Sequence, residues 1–529
     1  MIGVGDQEMD LDVEVELDTD PQTRVQPRPP RVIVVSGARG GVGKTTLAAN
    51  LGLYLATIGR RVVLVDADPA GASLHTCLGT RPPAPTPRPA RRGSRVSERV
   101  EGDAAHTTPY QGLRLLHLGL DEPASAAVRA ERLQKLGRLR EIDADHVVVD
   151  LGVGLARELL DAYLDADVAV LITVPDPSAI ENTHRFLRGA FVRFAARAVP
   201  EADAHAELER RIRALGGAPE PLELVRDLEE SGCAFAPAVR EALERFQPNL
   251  VVNQTRLRAD LDLGDALYSV VRRRLGIRLR FIGSVDHDDT VWTCARNRRP
   301  LLLEVPGARS SKRIEKIARK LLTFDPAKVP AQAWGLPTDS HHDLLEIARG
   351  ATDEEIRRAY KRCREIYAQD ALCCYGLFEP HEIEKIRVRI DEAFDVLLDP
   401  ARRRPYELAA FRDEPEPPSE EPTGLPAGPP PPAPDITPDT QFTGALLRQV
   451  RESRRVTLRD VGMRTKIGLP HLRAIEDDDF GKLPAVVYTT GFVQELARFL
   501  RLDPRQVSRS YVGRYKRYLD DKQRGFVPG

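Results

Sequence analysis

Residues 31–47, which run RVIVVSGARGGVGKTTL, decide the fold of this 529-residue chain. A β-branched run, Val32 to Val35, passes through a glycine-rich turn into a helix that begins near Leu47. Such a turn at a helix N-terminus lets successive backbone N–H groups surround phosphate oxygens. The ammonium of Lys44 then reaches the β- and γ-phosphates, and the hydroxyl of Thr45 suits Mg²⁺, which prefers oxygen ligands. The predicted phosphate-binding residues are Gly40, Gly41, Val42, Gly43, Lys44, Thr45 and Thr46.

Further short apolar runs recur after this loop, separated by helical stretches. Runs of this kind are typical of parallel strands that are buried on both faces. We therefore predict an α/β fold with a doubly wound, mostly parallel sheet (a P-loop NTPase fold), followed by two small all-α domains. The predicted strands contain Val62–Val65, Val147–Val149, Ala169–Ile172, Leu250–Val252 and Phe281–Gly283.

The composition changes along the chain and predicts its segments. Residues 1–30 are acidic and then proline-rich, which predicts a disordered tail. Residues 31–325 form the predicted α/β domain, with a Pro/Arg-rich loop inserted at about 81–109 and charged helices at about 195–245. The remaining predicted segments are a helical unit at 336–412, a partly stiff proline-rich linker at 413–440 and a second helical unit at 441–518.

The overall charge is balanced, with 78 Lys and Arg against 79 Asp and Glu, so any attraction to nucleic acid or membrane must be local. Six cysteines without a C-x-x-C pair indicate reduced thiols rather than a metal or redox site. The N-terminus does not resemble a signal peptide, and no apolar run approaches the ~20 residues that span a bilayer. We therefore expect a soluble, cytoplasmic protein.

Acidic residues follow two of the predicted strands. Asp66 and Asp68 end the second strand, and Asp150 follows Val147–Val149. The carboxyl edge of such a sheet is where ligands bind. An acid at the position of Asp150 is expected to hold Mg²⁺ through water, as a Walker B aspartate does.

Together, the glycine loop, Asp66-Ala67-Asp68-Pro69 and Asp150-Leu151-Gly152-Val153-Gly154 resemble the MinD/ParA family, and within it the FlhG-type ATPases. The resemblance implies two subunits that sandwich two ATP molecules with Mg²⁺, with slow turnover that a partner stimulates. It implies that Asp68 orients the attacking water, that Asp66 helps to position Mg²⁺ and that Asn253 contacts the base. The family's signature lysine, which reaches the partner subunit's phosphates, is replaced by Arg39, a charged but planar group.

The middle unit contains an amphipathic helix that starts at a capping box, Thr352 to Glu355, and a second helix at about Pro380 to Leu398. This pattern resembles a DnaJ-type J domain. That family activates Hsp70 chaperones through a His-Pro-Asp tripeptide, whose place is taken here by Ala368-Gln369-Asp370. Because only the aspartate remains, we expect a hairpin used for docking or spacing rather than one that stimulates Hsp70.

The last unit, 441–518, resembles the helix-turn-helix domain of RodZ, particularly at Leu483-Pro484, Tyr488 and Gly491-Phe492. Its first half is basic, which is also the electrostatic footprint of a DNA-binding domain. Binding to a protein partner and binding to DNA therefore both remain open. The basic residues are Arg448, Arg451, Arg454, Arg455, Arg459, Arg464, Lys466 and Arg473.

Three functional hypotheses follow. The leading one is an ATP-driven positioning factor that forms an ATP-dependent homodimer, recruits a protein through its helical domains and concentrates at a pole, membrane surface or nucleoid. The second is a DNA-binding regulator whose dimer state is set by ATP, and the third is a scaffold with an idle ATPase. Membrane contact stays open, because Arg313–Leu322 is basic and amphipathic, although packing on the sheet is its expected role.

Overall fold

The computed structural model describes residues 29–68, 71, 73–81, 105–118, 135–324, 336–411, 434–437, 440–465, 467, 469–483 and 486–523. The predicted N-terminal tail, most of the 81–109 insert and most of the proline-rich linker lie outside these residues. The chain divides into two compact units. The first comprises residues 1–348 and 352–406, and the second comprises 349–351 and 407–529.

An eight-stranded sheet forms the centre of the first unit. Its order is β3-β4-β2-β5-β1-β6-β7-β8, and all neighbouring strands are parallel except β3 and β4. The central strands are buried on both faces, as their unbroken apolar runs predict. The predicted fold class is therefore confirmed. The strands are β1 (Arg31–Gly37), β2 (Val62–Ala67), β3 (His106–Thr107), β4 (Leu113–His117), β5 (His146–Val153), β6 (Val168–Thr173), β7 (Asn249–Thr255) and β8 (Arg280–Asp286).

Helices cover this sheet and bury their apolar sides against it. The amphipathic helix α11 places Ile314, Ile317 and Leu321 in the core, so its apolar side packs on the sheet as predicted. Residues 202–245, predicted as charged helices, form α5 to α7. The helices are α1 (Lys44–Thr57), α2 (Leu74–Cys77), α3 (Arg157–Leu164), α4 (Pro177–Arg197), α5 (Ala202–Ala214), α6 (Pro221–Glu230), α7 (Ala236–Arg245), α8 (Arg258–Leu275), α9 (Asp289–Arg296), α10 (Leu301–Glu304) and α11 (Arg309–Thr323).

Four more helices follow, and two of them, α13 and α14, form the helical hairpin. The predicted capping box starts α13, where the Thr352 hydroxyl accepts the N–H of Glu355 at 3.3 Å and the Glu355 carboxylate accepts the N–H of Thr352 at 2.8 Å. Ala368-Gln369-Asp370 lie in the connection between the two helices. The four helices are α12 (His341–Leu345), α13 (Asp353–Ile366), α14 (Pro380–Leu398) and α15 (Pro400–Ala410).

Buried polar side chains join α12 to α8. Arg272 donates to Asp343, and both side chains are almost completely buried. Arg273 lies 3.3 Å from the second oxygen of the same carboxylate. One turn away along α8, the Ser269 hydroxyl donates to Glu346 at 3.0 Å. Helix α12, which precedes the hairpin, is therefore held to α8 by two ionic contacts and a hydrogen bond.

The second unit is helical. Its core is apolar, but the unit also contains a buried ion pair. Arg451 donates two hydrogen bonds, of 2.7 and 2.8 Å, to Glu476. Among all described residues of the chain, no helix is both long and apolar enough to cross a membrane. The helices of this unit are α16 (Gly444–Ser453), α17 (Leu458–Thr465), α18 (Leu469–Glu476), α19 (Val486–Phe499) and α20 (Pro504–Gln523).

Candidate nucleotide site

The glycine-rich loop joins β1 to α1, the arrangement that the sequence predicts. Gly41 and Gly43 have φ angles of 78° and 91°, a left-handed conformation that glycine adopts without strain. A Cβ on Gly43 would lie only 2.2 Å from the side-chain nitrogen of Asn253, so this position also needs the smallest residue for steric reasons. Lys44 is the first residue of α1 and is 6% exposed. The backbone N–H groups of the loop are thus grouped at a helix N-terminus, as anion binding requires.

The end of β7 holds this loop from the other side. Asn253 donates its side-chain N–H to the carbonyl oxygen of Val42 at 2.8 Å, and Gln254 donates to that of Gly41 at 3.1 Å. Gln254 adopts a left-handed φ of 57°, which is uncommon for a residue with a side chain. The sequence analysis singled out Asn253 but missed Gln254, because the positive φ that aims its side chain leaves no mark in the sequence.

Three carboxylates lie in the carboxyl-terminal halves of β2 and β5 or directly after them: Asp66 is inside β2, Asp68 follows β2, and Asp150 is inside β5. Asp66 and Asp150 are direct register partners on these two strands, and both are buried. One oxygen of Asp66 accepts the N–H groups of Ser73 and Leu74, at 2.9 and 3.0 Å. The third carboxylate, Asp68, lies 3.9 Å from the ammonium of Lys44. The loop lysine and the carboxylates therefore belong to one site.

Burial shifts the protonation of this pair. It raises the pKa of Asp66, and it raises that of Asp150 to about 7; a hydrogen bond from Thr45 opposes the rise in Asp150, and the neighbouring charge of Asp66 adds to it. Among the described residues, one oxygen of Asp66 has no hydrogen-bond partner, and Asp150 has only the Thr45 hydroxyl beside it. Unpaired buried carboxylate oxygens are costly unless a cation meets them.

These donors fit Mg²⁺. The Thr45 hydroxyl hydrogen-bonds to Asp150 and lies 3.4 Å from the hydroxyl of Ser73, whose backbone N–H donates to Asp66. Among the described residues, no cluster of three or more His, Cys, Asp or Glu side chains is arranged to hold a metal alone. Mg²⁺ suits such a site, because it is usually held by one or two carboxylates together with phosphate oxygens.

Arg39, at the signature position, lies apart from these groups. Its guanidinium donates to the carboxylate of Asp176, the residue that caps α4, and both side chains are 44% exposed. Ser178 reinforces the same carboxylate through a hydroxyl hydrogen bond of 2.6 Å. These contacts lower the pKa of Asp176, first through Ser178 and the N–H of Ala179 and then through the charge of Arg39.

A cavity of about 490 Å³ extends from the glycine loop toward α9. This volume lies within the usual range for small-molecule sites. Of the predicted residues, Gly41, Gly43, Lys44, Thr45, Thr46 and Asn253 line it, whereas Arg39, Gly40, Val42, Asp66, Asp68 and Asp150 do not. Trp292, which the sequence analysis missed, also lines it. Its place in the helix that follows β8, at the ligand-binding edge of the sheet, was the available signal.

The fold and this loop define a P-loop nucleotide-binding protein. The chain belongs to the CobQ/CobB/MinD/ParA nucleotide binding domain family, whose family model matches residues 33–327. A second family model, for a helix-turn-helix domain, matches residues 446–507 in the second unit.

Individual relatives match part of this domain. The septum site-determining protein MinD of Synechocystis is 31% identical over 165 residues, which is 30% of this chain and 58% of that protein. MinD of Bacillus subtilis is 30% identical over 161 residues, 29% of this chain and 57% of that protein. The chain thus spans little more than half the length of these relatives. The solved structure of the MinD cell division protein of Aquifex aeolicus shares 20% identity, with 56% of this chain and 98% of that one covered and a TM-score of 0.33.

Proposed function

We propose that this chain is an ATP-binding positioning factor that hydrolyses ATP slowly and alternates between an ATP-bound dimer and an ADP-bound monomer. The observation that carries the proposal is the site itself, where a glycine loop at a helix N-terminus and a buried lysine, 3.9 Å from Asp68, adjoin the buried carboxylate pair of Asp66 and Asp150. This combination suits a Mg²⁺-bound triphosphate. Two relatives are named septum site-determining proteins, which supports a role in spatial placement.

Each residue has a proposed task at this site. The loop from Gly40 to Thr46 binds the phosphates through its N–H groups, and Lys44 neutralises the β- and γ-phosphates. Thr45, Asp66 and Asp150 hold Mg²⁺, which when bound neutralises charge on the phosphate oxygens. Asp68 orients the attacking water. Asn253 contacts the base through its side-chain amide, one of whose two N–H groups donates to Val42.

The dimer is proposed to close over the same edge of the sheet. Leu155 follows β5 and Leu257 follows β7, and these side chains are 50% and 68% exposed. Large exposed apolar residues at one edge are suited to a two-fold contact. In that contact Arg39 leaves Asp176 and reaches the partner's phosphates as an arginine finger.

The helical regions are proposed to select the partner. The hairpin that resembles a J domain lacks the histidine and proline of the active tripeptide, so we propose docking or spacing, not Hsp70 stimulation. The RodZ-like domain is proposed to bind a protein partner. The FlhG-like resemblance directs the proposal to flagellar, polar or cytoskeletal placement, with enrichment at a pole, a membrane surface or the nucleoid. Helix α11 offers little to a membrane, because its apolar side is already packed in the core.

Light scattering on a size-exclusion column tests the cycle. An Asp68→Ala variant should retain ATP and elute with ATP at twice the 58.7 kDa chain mass, and with ADP at the single-chain mass. In the matched control, Lys44→Ala added to the same chain should abolish the nucleotide dependence. If the mass of Asp68→Ala is the same with both nucleotides, the dimer cycle is wrong, and the scaffold with an idle ATPase becomes the better hypothesis.

A DNA-binding regulator is the second candidate, since the helix-turn-helix match and its basic first half favour it. Two of its arginines, however, are already engaged: Arg451 with Glu476, and Arg448 with Glu476 and Asp477. That pairing reduces the charge left for phosphates. If the full chain binds duplex DNA with an affinity that falls steeply with salt, and Arg464→Ala flattens that dependence, this candidate replaces protein docking.

A further inference from the structure

One side of α9 lines the nucleotide cavity. Asp288, Val291, Trp292 and Ala295 all line it, and their spacing of i, i+3, i+4 and i+7 places them on a single helical face. Cys294, by contrast, is buried in the core of the domain. The helix is fixed at its start, where the Asp288 carboxylate accepts the N–H of Thr290 at 2.9 Å. Trp292 is thus held by a helix that is anchored to the domain.

Trp292 is 63% exposed, so most of this large aromatic side chain does not contribute to the core of the domain. The Arg296 guanidinium lies 5.3 Å from the centre of the indole ring, so part of the ring is in contact with a cation. The rest of the ring remains open toward water and the cavity. An exposed aromatic surface at the mouth of a ligand cavity is suited to a flat apolar ligand group.

We propose that Trp292 is the stacking platform for the purine base of the bound nucleotide. This inference rests on the proposed nucleotide binding and adds a base-contacting residue to it. The phosphates occupy the loop end of the cavity, because Gly41, Gly43 and Lys44 line that end. The base then extends along the cavity toward α9, where the apolar side chains of Val285, Val291 and Trp292 offer it contact.

Tryptophan fluorescence tests the contact directly. The chain has two tryptophans, Trp292 and Trp334, so a Trp334→Phe chain reports on Trp292 alone. MgADP should change the emission of Trp292 at saturation, whereas magnesium tripolyphosphate, which has no base, should bind without that change. Unchanged emission at a MgADP concentration that calorimetry shows to be saturating overturns the proposal.

Calorimetry supplies the second test. Trp292→Ala should weaken MgADP binding by about 5- to 150-fold, the range for one stacked base, and Trp292→Phe should recover most of the loss. Tripolyphosphate affinity should be the same in all three chains. Equal MgADP affinity in the Ala variant overturns the stacking role, and so does an equal loss for tripolyphosphate, which would indicate a distorted site. If the unaltered chain binds neither compound, the nucleotide site itself is wrong, which is a separate failure.

Discussion

The Asp176 carboxylate accepts a hydrogen bond from the Arg39 guanidinium of its own chain and at the same time caps α4 through the N–H of Ala179 at 3.1 Å. Arg39 is therefore turned toward α4 rather than toward the cavity that the loop lines. An arginine finger in a dimer would have to give up this contact first. Because both side chains are 44% exposed, we expect the contact to contribute only ~0.2–1 kcal/mol.

We predict that Asp176→Asn strengthens the ATP-dependent dimer. Asparagine still caps the helix but lacks the negative charge that holds Arg39. In an Asp68→Ala chain with ATP, the dimer dissociation constant should fall by about 1.4- to 5-fold, the equivalent of a weak surface ion pair. Sedimentation equilibrium measures it. Ser178→Ala, which leaves the Asp176 charge in place, is the matched control and should have a smaller effect. A weaker dimer in Asp176→Asn would mean that Asp176 itself contacts the partner subunit.

A second prediction concerns the attachment of α12 to α8. Asp343→Asn should lower the free energy of unfolding of the first unit by ~3–5 kcal/mol, because it leaves the buried guanidinium of Arg272 without its counter-charge. Hydrogen exchange of the full chain measures this locally. Protection should be lost first in peptides from α12 and the end of α8.

Two further variants control this result. Glu241→Gln breaks an exposed pair with Arg245, at 3.6 Å, and should change stability by less than ~1 kcal/mol. The double change Arg272→Met with Asp343→Leu removes both charges and should recover much of the stability lost in Asp343→Asn. If α12 exchanges normally in Asp343→Asn, the Arg272–Asp343 pair is not what holds it to α8.

The sheet could be predicted from the sequence because its signal is local. Runs such as Val32–Val35 and Val147–Val149 are apolar throughout, which occurs when both faces of a strand are covered. The glycine loop is likewise a local pattern, since Gly41 and Gly43 are required by the positive φ angles of the turn. Asp66 and Asp150 were expected at one edge of the sheet, and the structure makes them register partners.

The contacts that the sequence could not reveal are long-range and polar. Arg272 and Asp343 are 71 residues apart, and among the many arginines and acids of the chain nothing local marks them as partners. The same holds for Arg451 and Glu476, where Arg451 was interpreted as part of a basic surface but is buried in an ion pair. Periodicity indicates which face of a helix is apolar, but not which charge will be buried against it.

A third prediction follows from His184 in α4. Burial is the main cause that lowers the pKa of this imidazole, to about 4, and the charge of Arg188 acts in the same direction, whereas the backbone at Tyr375 opposes them. The pKa of this histidine in the unfolded chain is about 6.5, so below pH 6.5 the unfolded chain binds a proton there that the folded chain does not bind. Stability is therefore lost as the pH falls from about 6.5 to 4.

His184→Met, a residue of similar size that does not titrate, should remove this part of the acid sensitivity. The difference in unfolding free energy between the variant and the unaltered chain should shift in favour of the variant by ~2 kcal/mol between pH 8 and pH 5. Urea titrations at both pH values measure it. His381→Gln, a substitution at an exposed histidine of the same unit, is the matched control. A constant difference between the two pH values would contradict a neutral buried imidazole.

The last prediction concerns Arg451, and asks whether its charge stabilises the helix-turn-helix unit or is available to bind DNA. Arg451→Met should destabilise this unit by ~3–5 kcal/mol, because the fully buried carboxylate of Glu476 then loses the two hydrogen bonds that compensate its burial. Hydrogen exchange of peptides from α16 and α18 in the full chain measures the effect. Arg498→Gln, which breaks an exposed pair with Glu495, should cost less than ~1 kcal/mol.

The double variant Arg451→Met with Glu476→Leu distinguishes the two roles of the arginine. It removes the buried pair as a whole, so protection should return toward that of the unaltered chain. If Arg451 is only structural, this variant should bind any ligand of the unit, protein or DNA, as the unaltered chain does. A double variant that is fully protected but has lost affinity for DNA would mean that the Arg451 charge acts on phosphates, and the protein-docking role of the unit would then have to be given up.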